Sequence, residues 1–107
     1  MGSSNEERRL PSVAFIKRIC RQVFIEEYPE IKCAYLYGSY ARGEATEKSD
    51  IDILVVLDRP MGLRFYEIAG RLEKLLYKAV DVKSYECLLG NASMLKDILV
   101  EGIKIYG

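Results

Sequence analysis

Apolar positions along the chain recur with two periods. Val13, Ile16, Cys20, Val23 and Phe24 fall at helical spacing behind Pro11, and Pro29 closes that helix near Tyr28, because a residue before proline avoids the helical region. Ile31–Gly38 then changes to a β-rich run stopped by glycine. Asp50–Asp58 alternates: Ile51, Ile53, Val55 and Leu57 point one way, and Asp50, Asp52, Leu54 and Val56 the other. Both faces turn apolar after the aspartates, which predicts a central strand. Arg59, Pro60 and Gly62 mark a turn. Phe65, Ile68, Ala69, Leu72, Leu75, Leu76 and Ala79 predict one amphipathic helix, with Glu67 and Arg71 paired on its wet side. Ala79–Glu86 predicts a third strand with Asp81, Lys83 and Tyr85 on one face. A last helix runs from an Asn91 N-cap to Gly102, with Met94, Leu95, Ile98 and Leu99 as its stripe, and Ile103–Gly107 predicts a short edge strand. The order predicts an α+β (α/β sandwich-like) fold: a small mixed sheet with helices packed mainly on one face.

Length bounds this picture to one domain, residues 1–107. Sixteen Lys+Arg balance sixteen Asp+Glu, which argues against direct nucleic-acid binding. No apolar run reaches a membrane span, and the polar start Met1–Leu10 does not read as a signal peptide. Cys20, Cys33 and Cys87 are odd in number and scattered; they read as small core hydrophobes of a reducing, cytoplasmic protein. There is no histidine, so Ser-His and Cys-His nucleophiles and His-based zinc sites are excluded. Chemistry must run on carboxylates, backbone amides and Arg/Lys.

Asp50 and Asp52 share a strand face, so their charges repel unless a cation lies between them. A hard cation such as Mg²⁺ answers that need, and Asp81, on a strand able to lie alongside, is a natural third ligand. Three carboxylates at one spot suit two-metal phosphoryl chemistry. An isolated D-x-D at a strand edge is more often a turn or a solvated charge, and Asp58 has only that reading. The preceding loop shifts the balance. Gly38 and Gly43 permit a tight turn and close approach of amides to an anion, Ser39 offers a hydroxyl and, if it opens a short helix, a positive helix end, and Arg42 a fork for phosphate oxygens. It is not a Walker A loop, since Glu44 stands where lysine is needed.

G-S-x-A-R-G, a polar spacer, then S-D-x-D and an apolar strand resembles the signature of the polymerase-beta-like nucleotidyltransferases, most closely the minimal nucleotidyltransferase (MNT) domains of prokaryotes. The resemblance covers nearly the whole chain. It implies that Gly38 and Ser39, with Arg42, Gly43 and Ser49 around them, hold a nucleotide triphosphate. It implies that Asp50 and Asp52 bind metal, two Mg²⁺ ions, and that Asp81 is the third carboxylate, aligning the acceptor hydroxyl. Larger relatives carry a second, acceptor-binding domain; this chain shows none, so the acceptor is expected on another protein or across an oligomer interface. The resemblance further implies a HEPN-type toxin as partner, neutralised by transfer of AMP from ATP to a tyrosine. Two other readings stay open: a non-catalytic module that neutralises its partner by occlusion, and a metal-dependent phosphatase or nuclease. Most tyrosines read as packing residues, with Tyr40 and Tyr85 also placed to line a site; Lys83 reads as a phosphate contact or a solvated charge. The apolar stripes of the first and last helices suggest self-association.

Overall fold

The computed structural model describes residues 10–107; the polar start, residues 1–9, lies outside the described residues. Helix α1 spans Val13–Glu27, two residues later than Pro11 suggests, because the Ser12 hydroxyl is its cap and accepts from the Phe15 amide at 3.0 Å. Strands β1 (Ile31–Tyr37) and β2 (Ile51–Leu57) follow, then a 3₁₀ turn at Gly62–Tyr66 and helix α2 (Glu67–Leu76). Strand β3 (Val80–Ser84), a 3₁₀ turn at Tyr85–Leu88, helix α3 (Ala92–Glu101) and strand β4 (Ile103–Tyr106) complete the order.

The sheet runs β3-β2-β1-β4. β2 pairs antiparallel with β1 and parallel with β3, so the strand whose two faces turn apolar is interior, as its pattern requires. Alternation splits the core in two. Ile51, Ile53 and Val55 face the main cluster, with Ile16, Cys20 and Phe24 of α1 and Ile68, Leu72 and Leu76 of α2. Leu54 faces the opposite side with Tyr37, Leu88 and Ile98. Two of the three helices therefore cover one face, and α3 covers part of the other.

Several local expectations are corrected. α2 ends at Leu76 rather than Ala79, because Tyr77 turns left-handed (φ 57°) and breaks the helix. Arg71 does not pair along its own helix with Glu67; its guanidinium grips Glu27 of α1 at 2.8–3.0 Å, a tertiary tie that local spacing cannot show. Tyr85 has left the strand, since the Ser84 hydroxyl accepts from the Cys87 amide and starts a 3₁₀ turn there. Cys87 is consequently exposed, and Cys33 half-buried; only Cys20 is a core residue, and burial pushes its thiol pKa up to about 12. Leu99 is exposed, leaving Ile98 as the buried residue of α3. The Asn91 cap and the Gly102 stop stand: Asn91 accepts from the Met94 amide at 3.1 Å. A side chain at Gly102 would strike the Ile98 carbonyl.

Candidate active site

The site begins with the sheet register. Across β1, β2 and β3, Tyr37 stands opposite Asp52, and Asp52 opposite Asp81. One step on, Lys83 stands opposite Leu54. Residues two apart share a face, so Asp52, Leu54, Asp81, Lys83 and Tyr37 all lie on the α3 side of the sheet, near the start of β2 and β3. Asp50 precedes β2 and is exposed.

The glycine loop folds back onto this row. Residues 38–43 form turns rather than a helix that Ser39 would open. Their closure is that of a helix end: the Gly43 amide donates to the Tyr40 carbonyl at 3.3 Å, and the Glu44 amide to the Ser39 carbonyl at 2.9 Å. Gly43 occupies the left-handed position such a stop requires (φ 73°). Tyr40 is buried in the main core and anchors the middle of the loop, so packing is its role. Gly38 is also left-handed (φ 74°), and a Cβ there would lie 2.5 Å from Asp52 Oδ2. The loop backbone and the Asp52 carboxylate are thus in direct contact, and only glycine permits it.

Arg42 is exposed and paired with Glu44 at 3.0 Å. Ser49 closes the spacer: its hydroxyl accepts from the Thr46 amide at 2.8 Å. The Lys78 ammonium holds the Glu47 carbonyl at 2.7 Å, and the Ile51 amide the Ala79 carbonyl at 3.0 Å, which fixes the spacer beside the entry to β3.

Burial holds the Asp52 carboxyl above its usual range; the Asp81 and Asp50 charges push the same way, while Lys83 and Arg42 oppose them. Lys83 makes an ion pair with Asp81. Among the described residues, no three carboxylates converge on one point as the side chains stand. The donor set nevertheless fits a hard divalent cation: it is all carboxylate oxygen, and it centres on a partly buried aspartate whose charge is disfavoured by burial and by the neighbouring carboxylates.

Tyr37 is the site residue that the sequence pattern alone does not single out. It is 8% exposed, and its hydroxyl is buried without a hydrogen-bond partner among the described residues. Lys83 lies close enough to act on that hydroxyl, without well-formed hydrogen-bond geometry. Burial raises the Tyr37 pKa. The signal was the hairpin register, which sets Tyr37 beside Asp52. A groove of about 790 Å³, lined by Met61, Phe65, Tyr66, Asp81, Lys83 and Leu88 among others, opens beside the outer carboxylate of the row.

The family model for "Polymerase beta, Nucleotidyltransferase" matches residues 20–107. The chain belongs to the polymerase beta nucleotidyltransferase family. It is 41% identical over 76 residues to a Methanocaldococcus jannaschii protein provisionally named a protein adenylyltransferase, a match spanning 68% of this chain and 78% of that one. It is 50% identical over 48 residues to the protein adenylyltransferase MntA of Thermococcus cleftensis, spanning 44% and 48%. Among solved structures, a toxin-antitoxin complex with AMP-PNP superposes with a TM-score of 0.66 at 28% identity, covering 85% of this chain and 71% of that one. The complex of tri-AMPylated Shewanella oneidensis HEPN toxin with MNT antitoxin gives 0.63 at 23% identity, covering 88% and 71%, a likeness of fold. The four-stranded mixed sheet is therefore a nucleotidyltransferase fold, and the chain is a nucleotidyltransferase akin to protein adenylyltransferases. Among the described residues no helix is long and apolar enough to cross a membrane.

Proposed function

We propose that this nucleotidyltransferase moves AMP from ATP onto a hydroxyl of a partner protein, and that the partner is a HEPN-type toxin which the modification silences. The observation that carries the proposal is the Asp52–Asp81 pair in register beneath Gly38, with Asp50 two residues before Asp52. In that arrangement the loop that would cradle phosphate touches the carboxylate that would hold metal. The relatives named above as adenylyltransferases and antitoxins support the choice of AMP and of a protein acceptor.

In this reading, Gly38 and Ser39 cradle the terminal phosphates of ATP, and Gly43 holds the loop in the shape that lets them do so. Arg42 and Ser49 brace the loop and its spacer, through Glu44 and Thr46 respectively. Asp50, Asp52 and Asp81 would hold Mg²⁺, two ions by the chemistry of the class, and the metal would supply positive charge to the phosphates and the acceptor oxygen. Asp81 orients the acceptor hydroxyl and takes its proton. The acceptor oxygen attacks the α-phosphorus in line, the bond to the β-phosphate bridging oxygen breaks, and pyrophosphate leaves with that electron pair.

The test is label transfer in a lysate of the source cells, with Mg²⁺ and ATP labelled at the α- or the γ-phosphate. A protein band carrying only α-label, absent with Asp50→Asn, is the expected result. Label from the γ-position would mean phosphoryl transfer, and inorganic phosphate release without labelled protein would mean a phosphatase.

A further inference from the structure

Strand β3 is an edge of the sheet: among the described residues it pairs with β2 alone. One bond fixes where its backbone groups point. The Ile51 amide donates to the Ala79 carbonyl at 3.0 Å, so Ala79 faces β2. Successive residues of a strand turn their amide and carbonyl to opposite sides, so Asp81 and Lys83 also face β2, while Val80, Val82 and Ser84 face outward. The Val80 amide obeys this parity: it leaves the sheet and donates to the Glu73 carboxylate at 2.9 Å. That bond blunts the start of the edge, as exposed edges require. Val82, the next outward residue, is half-buried, and its amide and carbonyl have no such cap among the described residues.

The groove of about 790 Å³ runs along this edge, from Asp81 past Val82 to the turn at 58–62. Its sides belong to opposite faces of the sheet: Met61 and Phe65 pack with the main core cluster, and Leu88 with the second. The uncapped part of β3 therefore lies recessed between apolar walls. Two such recessed edges cannot meet, because the walls of one copy strike those of the other. A single extended segment fits. We propose that the acceptor protein docks by adding an extended segment to β3, its main chain bonded to the Val82 amide and carbonyl. The proposal rests on the acceptor role given to Asp81 under the proposed function.

Pairing fixes what the segment carries. Its residue opposite Asp81 shares the Asp81 face, so a hydroxyl there is delivered to the carboxylate row. The residues on either side of it point to the other face, toward Met61 and Phe65, and are apolar. Main-chain pairing thus does the positioning that a separate acceptor domain would otherwise do.

Amide hydrogen exchange, followed by NMR on this protein alone and with the purified HEPN-type partner, reads the edge directly and needs no turnover. The Val82 amide should exchange rapidly in the free protein and at least about tenfold more slowly in the complex. Val82→Pro keeps an extended edge and removes the outward donor. It should bind the partner about tenfold more weakly by calorimetry, while a non-hydrolysable ATP analogue binds as in the wild type. Thermal unfolding confirms that the variant is folded, and Tyr66→Ala, which trims an exposed wall residue, should weaken partner binding in the same direction. A complex that forms and transfers α-label while the Val82 amide exchanges as in the free protein would overturn strand addition and leave the proposed function standing. Slow exchange already present in the protein alone would give the edge to this chain or to a second copy, and would also overturn it. No complex with the partner at all would overturn the proposed partner, and this docking mode with it.

Discussion

Gly38 and Gly43 offer a controlled experiment on what positions Asp52. Both are left-handed, at φ 74° and 73°. Alanine pays a backbone cost of about 1–2 kcal/mol at such a position. At Gly43 nothing lies within 4 Å of the added Cβ, so that cost is the whole effect. At Gly38 the Cβ would lie 2.5 Å from Asp52 Oδ2. The carboxylate must swing off its rotamer, which adds about 0.5–1.5 kcal/mol. Urea unfolding should therefore place Gly38→Ala about 1 kcal/mol below Gly43→Ala, or about 4–8 °C lower in Tm for a domain of this size. Activity should separate the two far more. A reacting group displaced by about 1 Å can cost a hundredfold in rate. Transfer of α-label from ATP should fall about a hundredfold in Gly38→Ala and only a few-fold in Gly43→Ala. Equal losses in the two variants would refute the argument that contact between the loop backbone and Asp52 sets the catalytic geometry.

Leu54→Ala, which removes a fully buried side chain from the core beneath the site, should cost about 2–5 kcal/mol by denaturant titration. A thiol reagent should modify exposed Cys87 at once and Cys20 only on unfolding, since burial lifts the Cys20 thiol to about 12; comparable rates would contradict the placement of both. The Arg71 guanidinium holds the Glu27 carboxyl below its usual range. That contribution is present above the carboxylate's unfolded pKa and is lost as pH falls through the lower folded value, so Arg71→Met should flatten the acid limb of the stability–pH profile; an unchanged limb would mean the pair contributes nothing.

The strands, the central place of β2 and both caps of α3 were legible because each is written locally. Alternation from Ile51 to Leu57 assigns faces, and Asn91 and Gly102 are cap residues. The carboxylates were legible for the same reason: strand periodicity puts Asp52 and Asp81 on chosen faces, and the glycine loop says where the chain turns. What escaped depends on contacts between distant segments. Arg71 has equal local claims on Glu67 and no local sign of Glu27, 44 residues earlier. The end of α2 at Tyr77 is a left-handed tyrosine, where a sequence reader looks for glycine or asparagine. Ser84 ends β3 by capping a turn, a role that an alternating Val-Asp-Val-Lys-Ser run conceals. Tyr37 looked like one more packing aromatic, because its place beside Asp52 exists only once the β1–β2 register is known. Lys83 carried two readings at once, and the ion pair with Asp81 supplies a third.

The central claim is that the row beneath Gly38 performs nucleotidyl transfer to a protein. The most direct measurement is the intact mass of the purified HEPN-type partner after incubation with this protein, Mg²⁺ and ATP, beside a parallel reaction with Asp52→Asn. The account predicts a partner heavier by one or more AMP units with the wild-type protein and unchanged with Asp52→Asn. A partner whose toxicity is neutralised at unaltered mass, equally well by the wild type and by Asp52→Asn, would contradict it and point to occlusion.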